Sequence, residues 1–522
     1  MTTLIPREPY TQDELARLYP AALKLQLVQV FLRHGERTPV SSRFLDTGLS
    51  PYWPYCSVAR RMVQMASSSK DLSEWNGFQW HRKMESFGSN DQAMITTGPG
   101  GRVEGMCLHG ELTDKGRETT YALGQRLRNL YVDQLGFMPE IKSDTEDMYL
   151  RATPIPRALE SLQQAFWGMY PASARTLDFA PPVIVARQIN EETLFPNEGN
   201  CKRFRQLARL FADRAATRWN DSEQMAYLNS LWSKYMPEES PKVAVDAHPR
   251  LSGIMDTINA TDAHGPATKL PSEFYDKKGR GILDRIAVEE WFAGYGESSE
   301  YRKLGIGALM GDVVDRMVST AVEGGWRSET AASGSGNPET SKNIKFAMSG
   351  CHDTTLAAIL SSVGGFQNQS WPPFTSSIAV ELFSQAPGSD SNAGTVLEEF
   401  LNPSLPAKKP GILSQLFGKS APKQSATSGT ARASLQSLPE GARKSLQNHY
   451  VRIRYNDQPV RIPGCAAKPE NHLPGDETFC TLDAFKEIVD KFTPKNWQGE
   501  CTANLGAGLH GPDDREKAPA GF

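Results

Sequence analysis

Residues 23–39 read LKLQLVQVFLRHGERTP, and this stretch decides the fold class. Its apolar residues alternate partly and then form a short run, a pattern typical of a strand. A glycine and a proline follow, so Arg33, His34 and Arg37 fall in the loop at the end of the strand. In α/β sheets, ligands bind at such strand ends. We therefore expect the chemistry of this protein in that loop.

Further along the chain, strand patterns lead into helix patterns. Such pairs occur at 149–151 with about 157–169, and at 344–349 with a helix from about Asp353; a helix capped by Thr113 precedes both. Alternating strands and helices predict an α/β sheet domain. We expect this domain over residues 23–200 and 324–500, with a mostly helical cap over residues 201–323 inserted into it.

The remaining segments are expected to lie outside the packed domains. Residues 1–22 form an N-terminal extension. Residues 403–446 are rich in Ser, Ala, Pro and Lys, with seven basic residues against Glu440 alone, which predicts a disordered basic insertion. Residues 502–522 are expected to be a disordered tail.

Composition narrows the classes of protein that this chain can represent. With 39% apolar residues, 22% charged residues and a net charge of -3, it has the profile of a soluble globular protein. That charge excludes a nucleic-acid binder that relies on overall positive charge. No apolar run approaches the roughly eighteen residues of a membrane span. The N-terminus lacks the apolar core of a secretory signal, so we expect a cytoplasmic protein.

Two arginines beside a histidine in one loop form a compact site for an anion. A guanidinium group presents a planar fork of donors to phosphate oxygens. The charges of Arg33 and Arg37 should lower the pKa of His34, which leaves a neutral ring nitrogen that can attack phosphorus in acid. Taken singly, an arginine pair is more often a solvated surface feature, and a lone histidine is more often a packing residue.

A second polar cluster, His352 and Asp353, stands where the later strand meets its helix. A carboxylic acid at this place could protonate a leaving oxygen, and an anionic phosphate nearby would raise its pKa. Asp353 could instead only cap the helix, since aspartate is favoured at helix starts.

The two clusters together resemble a known family. FLRHGERTP is similar to the Arg-His-Gly-x-Arg-x-Pro signature of the histidine acid phosphatases, the second branch of the histidine phosphatase superfamily. Further similar segments follow in the family's order: ELTDKGRETTYALGQRLRNLY, MYLRATPIPRALES, SGCHDTT and WPPFTSSIAVELF. The resemblance implies a phosphoglycerate-mutase-like three-layer α/β/α sheet domain with a helical cap.

The resemblance also implies roles for individual residues. His34 would be the phosphohistidine nucleophile and Asp353 the proton donor. The phosphoryl group would be held by four side chains, those of Arg33, Arg37, Arg151 and His352. The implied mechanism needs no metal and no cofactor. Arg157 matches a further recurrent arginine of the family, which could serve only the fold.

The cysteines bear on the compartment. The resemblance implies two disulfides, one joining Cys201 to Cys501 and the other joining Cys465 to Cys480. Stable disulfides favour an oxidising compartment, so the protein would be secreted or organellar if these pairs form. Cys351, next to His352, could pack quietly or make the site sensitive to thiol reagents.

The expected function is hydrolysis of small phosphomonoesters by a metal-independent acid phosphatase that forms a phosphohistidine. One alternative is a selective lysophosphatidic acid or inositol phosphate phosphatase. An alternative of another class is an inactive phosphate-binding or scaffold protein. We expect no nucleic-acid partner and no transmembrane segment, and the family suggests a homodimer.

Overall fold

A computed structural model describes residues 8–57, 82–327, 342–385, 433–509 and 519–522, together with the backbone of 62–67 and 75–80. The strands are β1 (Leu23–Arg33), β2 (Met62–Ser67), β3 (Trp75–Trp80), β4 (Glu85–Phe87), β5 (Ala93–Ile95), β6 (Met148–Ala152), β7 (Ile184–Val185), β8 (Phe346–Cys351), β9 (Ser377–Gln385), β10 (His449–Tyr455), β11 (Gln458–Val460), β12 (His472–Leu473) and β13 (Asp476–Thr481).

The helices follow the same chain order. They are α1 (Gln12–Leu18), α2 (Asp114–Arg128), α3 (Pro156–Met169), α4 (Lys202–Trp219), α5 (Glu223–Trp232), α6 (Leu251–Ala263), α7 (Lys277–Glu297), α8 (Ser299–Arg302), α9 (Ala308–Glu323), α10 (Asp353–Ser362), α11 (Glu440–Gln447), α12 (Pro463–Ala466), α13 (Leu482–Asp490) and α14 (Trp497–Glu500). The predicted helices after Thr113, near 157 and from Asp353 are all present.

The central sheet has the order β12-β13-β10-β9-β1-β8-β6-β7, with β11 paired to β10. Strands β1, β8, β6 and β7 are mutually parallel, whereas β9 and β10 continue the sheet antiparallel. The register pairs Arg33 at the end of β1 with Cys351 at the end of β8. The two loops that carry His34 and His352 therefore start side by side.

Helices cover both faces of the sheet. This explains why the side chains of β1 are mostly apolar on both faces of the strand. Leu27 and Phe31 point to one face and join a core with α9 and α10. Val28 and Val30 point to the other face and pack with α2 and α3. The predicted three-layer α/β/α architecture is confirmed.

The cap has a hydrophobic core of its own. It is built from α5, α6, the start of α7, the end of α4 and residues 44–53, which follow the loop after β1. Helix α9, which we expected in the cap, instead packs on the sheet through Leu309, Met310 and Val313. Helix α9 is amphipathic, as the helices of the cap are. Its sequence pattern therefore predicts a buried face but does not tell whether that face joins the core of the cap or the core of the sheet domain.

Two of the segments expected to be disordered are partly packed. Of the insertion 403–446, residues 403–432 lie outside the described residues, whereas 440–446 belong to α11, which buries Ala442 and Leu446. Of the tail 502–522, residues 510–518 lie outside the described residues. Arg203 donates hydrogen bonds to the carbonyls of Ala507 and Gly508, and the Gly464 N–H donates to the Gly521 carbonyl. These contacts correct the expectation of disorder.

Three disulfides tie the described parts together. Cys201–Cys501 and Cys465–Cys480 are the expected pairs, and Cys56–Cys107 was not predicted. The third pair forms where the Cys107 N–H donates to the Trp53 carbonyl, which brings two loops together. In the parts of the chain that the structure describes, no helix has the length and apolar character needed to cross a membrane.

Candidate active site

The polar clusters of the two strand ends meet at one place. The backbone N–H of His34 donates to the Cys351 carbonyl at 3.1 Å. The centres of the imidazole rings of His34 and His352 lie 5.5 Å apart, edge to face. Gly35 lets helix α2 approach, because a Cβ atom there would come within 2.2 Å of the Gly116 carbonyl oxygen. The signature loop is thus wedged between the start of α2 and the end of β8.

His34 is oriented as a nucleophile. Its Nδ1 lies 2.9 Å from the Gly35 carbonyl oxygen, which can only accept, so Nδ1 carries the proton and Nε2 is left with its lone pair. Burial lowers the pKa of His34 well below its usual value, and the charges of Arg157, Arg33 and Arg37 lower it further. The expected direction of the shift is confirmed, and the ring stays neutral in acid.

Arg33 is fixed from three sides. It donates to the Pro372 carbonyl, its guanidinium carbon lies 4.2 Å from the centre of the Phe374 ring, and its Nη2 is 2.9 Å from Oδ2 of Asp353. These contacts hold the guanidinium beside His34, although Asp353 occupies part of its donor fork.

Asp353 is the first residue of α10, and one of its oxygens accepts from the Thr354 N–H at 2.8 Å. The other oxygen accepts from the indole N–H of Trp371 at 2.9 Å and faces Arg33. Burial alone would raise the pKa of Asp353, but the Arg33 charge and the Trp371 hydrogen bond lower it to about 2. The carboxyl group therefore contributes more than a helix cap and is ionised when no phosphate is bound.

His352 completes the wall opposite His34. Its Nε2 lies 3.1 Å from the Thr153 hydroxyl. Burial and the charge of Arg157 lower its pKa to about 3, although Asp353 acts in the opposite direction. A neutral His352 offers a hydrogen bond to phosphate without adding a charge.

The two arginines of the MYLRATPIPRALES segment differ in their surroundings. The guanidinium of Arg151 is buried against Glu192 at 2.5 Å and donates to the Thr193 hydroxyl at 3.2 Å. Arg157, near the start of α3, is the arginine whose charge acts most on His34 and His352. The charge of Arg157 thus acts directly on the cluster, whereas Arg151 pairs through Nη2 with the buried Glu192, and its Nε and Nη1 are buried without a hydrogen-bond partner.

Two residues at the site were missed in the sequence. Trp371 lies in the segment WPPFTSS, whose resemblance to the family offered the only signal for it. Asp256 comes from cap helix α6 and binds Arg37 at 2.7 Å. Nothing in its local sequence marks it, because the contact joins residues that are 219 positions apart.

Cys351, beside His352, is a buried free thiol. Burial raises its pKa to about 12, so the thiolate that reacts with thiol reagents is scarcely formed. Of the two alternatives for this cysteine, quiet packing fits the geometry.

Comparison with known proteins agrees with the geometry. A family model described as histidine phosphatase superfamily (branch 2) matches residues 24–402. A probable acid phosphatase of Schizosaccharomyces pombe is 36% identical over 490 residues, which cover 92% of this chain and 95% of that protein. Human lysophosphatidic acid phosphatase type 6 is 24% identical, over 69% of this chain and 74% of that protein.

Among solved structures, the phytase of Hafnia alvei in complex with tartrate has a TM-score of 0.51 at 12% sequence identity, covering 92% of this chain and 99% of that one. At this identity the likeness shows the fold alone. The family match and the Schizosaccharomyces pombe relative extend over most of the chain, and the family match includes both polar clusters. The protein therefore belongs to the histidine phosphatase superfamily, branch 2.

Proposed function

We propose that this protein is an acid phosphatase that hydrolyses phosphomonoesters through a phosphohistidine, without a metal ion. The observation that carries the proposal is a neutral His34 whose Nδ1 carries the proton, so that Nε2 is free to attack. Beside it lie arginines that can bind phosphate and a carboxyl group that can donate a proton. We assign phosphate binding to Arg33, Arg37, Arg157 and His352. Arg151 is replaced by Arg157, because Arg151 is held by Glu192.

In the first step, Nε2 of His34 attacks phosphorus and the bond from phosphorus to the ester oxygen breaks. Asp353 gives its proton to that oxygen, which leaves as an alcohol. In the second step, Asp353 takes a proton from water, and the oxygen of that water attacks the phosphohistidine. Inorganic phosphate and free His34 result, so atoms and charge balance over the cycle.

The proton on Asp353 must arrive with the substrate, because the free carboxyl group is ionised. A phosphomonoester is a monoanion below its second pKa of about 6. Its phosphate can take over the Arg33 fork that now pairs with Asp353, and its charge raises the pKa of the carboxyl group. Substrate binding thus converts Asp353 from an ion-pair partner into a proton donor.

Phosphate release from 4-nitrophenyl phosphate, measured from acidic to neutral pH in the presence of a chelator, tests the proposal. Activity that persists with chelator supports it. A protein that binds inorganic phosphate but releases none from any ester would instead be the phosphate-binding protein of the alternative hypothesis. Lysophosphatidic acid belongs in the same substrate panel, because a relative is named for it. Inositol phosphates belong there as the other alternative that the sequence left open.

The pH dependence follows from the same groups. We expect kcat/KM to fall about tenfold for each pH unit above about 6, because the ester then loses the proton that Asp353 needs. The acidic side should stay active, since the pKa of His34 lies well below its usual value and the nucleophile remains neutral. A rate that rises from pH 6 to pH 8 would contradict this assignment.

The two arginines give a matched pair of variants. Arg157→Gln should lower kcat/KM roughly tenfold to a hundredfold, the loss of one charged hydrogen bond of about 1.5–3 kcal/mol, with little change in thermal stability. Arg151→Gln should instead lower the melting temperature, because Glu192 is left buried without its partner. Steady-state kinetics and thermal melts of both variants test this difference. If Arg151→Gln lost activity and Arg157→Gln lost only stability, Arg151 would be the phosphate ligand.

We infer that the protein works in an oxidising compartment, because three disulfides are rare in cytosolic proteins. This replaces the expectation of a cytoplasmic protein. Mass spectrometry of the unreduced protein should find the three linked peptide pairs, with Cys351 alkylated only after unfolding. Six cysteines that react without reductant would contradict this inference.

A further inference from the structure

One carboxylate of the cap holds two arginines of the catalytic loop region. Oδ1 of Asp256 lies 2.7 Å from Nη1 of Arg37, and Oδ2 lies 3.4 Å from Nη1 of Arg43. Oδ2 also accepts from the Val40 N–H at 3.0 Å. Only 13% of the Asp256 side chain is exposed, so this contact is a built feature of the boundary between cap and sheet domain.

Arg43 lies along helix α6 instead of extending into solvent. Its Nη1 is 3.3 Å from the Thr257 hydroxyl, and a Cβ atom at Gly253 would come within 3.0 Å of its Nε. The arginine is therefore held between the loop after β1 and helix α6, six positions beyond Arg37 in the chain, with its Nη1 3.4 Å from Oδ2 of Asp256.

The carboxylate of Asp256 offsets part of the positive charge of this cluster. Asp353 and Asp256 are the carboxylates whose charges act most on Arg33 and Arg157. Four arginines, namely Arg33, Arg37, Arg43 and Arg157, face these two carboxylates, and the histidines of the site are neutral. The carboxylate of Asp256 therefore leaves this cluster less positive than its arginines alone would make it.

We propose that Asp256 is a specificity-determining residue that restricts the site to substrates with a single phosphate group. This rests on the proposed phosphatase function. A second phosphate on the substrate that comes within reach of Arg43 would be attracted less strongly, because Asp256 offsets one of the two positive charges of Arg37 and Arg43. A substrate with one phosphate and an uncharged remainder does not depend on that attraction.

The test compares two competitors against 4-nitrophenyl phosphate hydrolysis: inorganic phosphate and myo-inositol hexasulfate, which is a polyanion that cannot be hydrolysed. In Asp256→Asn, myo-inositol hexasulfate should become the better inhibitor relative to inorganic phosphate, by at least about tenfold in the ratio of the two inhibition constants. The reason is that one negative charge beside Arg37 and Arg43 is lost. Asp256→Glu, which keeps the charge, should stay near the wild-type ratio. High salt should reduce the shift without abolishing it, because salt screens a largely buried charge less than an exposed one.

Arg43→Gln keeps the proposal testable if Asp256→Asn does not fold. It should weaken polyanion binding at least about fivefold, and the double variant Asp256→Asn with Arg43→Gln should return toward the wild-type ratio. A ratio that stays within twofold of wild type in folded Asp256→Asn, or in Arg43→Gln, would overturn the proposal. A wild-type protein that hydrolyses no ester would refute the proposed function instead, and calorimetric binding of the two anions would still measure the charge effect.

Discussion

His34→Ala is expected to reduce phosphate release by at least about a thousandfold, because enzymes that lose a covalent nucleophile keep only the catalysis supplied by the rest of the site. The arginines and His352 stay in place in this variant, so it should still bind inorganic phosphate. The measurement is the initial rate with 4-nitrophenyl phosphate, together with phosphate binding by calorimetry.

His472→Ala is the matched control. Nδ1 of His472 lies 2.9 Å from the carbonyl of the next residue, as Nδ1 of His34 does, but His472 begins β12 at the far edge of the sheet. Its activity should equal that of the wild type. The reaction with a substrate labelled in its phosphoryl group should be stopped rapidly without acid. Labelled phosphoenzyme should then be found in the wild type and in His472→Ala, but not in His34→Ala. Label retained in His34→Ala would refute the assignment of the nucleophile.

Asp353→Asn has the second largest expected effect, and this effect depends on the leaving group. General acid catalysis contributes about a hundredfold to ten thousandfold. We expect a loss of that size with an alkyl phosphate, whose alkoxide is a poor leaving group. With 4-nitrophenyl phosphate the loss should be much smaller, because nitrophenolate leaves without a proton.

The same variant should bind inorganic phosphate more tightly. Asp353 lies 2.9 Å from Arg33 and competes with phosphate for its guanidinium, and the asparagine does not. Asp284→Asn is the control, because Asp284 also accepts from Trp371, through the backbone N–H at 3.0 Å, without taking part in the Arg33 ion pair. Equal losses with both leaving groups in Asp353→Asn would show that this residue positions the phosphate and does not donate a proton.

The direction of the His34 shift could be predicted from the sequence, but the ionisation of Asp353 could not. Burial and the charge of Arg157 lower the pKa of His34 most, but Arg33, its neighbour in the chain, acts in the same direction, and this effect is a local property. The pKa of Asp353 depends on Arg33 and Trp371, which come from other segments, and only the fold sets those distances. The expectation of a protonated carboxyl group therefore applies to the phosphate complex and not to the free site.

The choice between Arg151 and Arg157 shows the same limit. Both arginines stand in one segment, and residue type and spacing favour neither. Arg151 lies within β6, where its guanidinium is enclosed with Glu192, whereas Arg157 stands in the first turn of α3 beside the signature loop. This difference in surroundings, over six positions across a strand-to-helix turn, is the reason why we propose Arg157 as the phosphate ligand.

The sequence by itself determined the strand that ends in Arg33 and His34, the second cluster at His352 and Asp353, and the family, because each depends on residues close together in the chain. Only the tertiary structure decided that the charge of Arg157 acts on His34 and His352, that Asp256 of the cap pairs with both Arg37 and Arg43, and that Cys56 pairs with Cys107. These contacts join segments that are far apart in the chain. Their geometry follows from how the cap and the sheet domain pack, which no local pattern records.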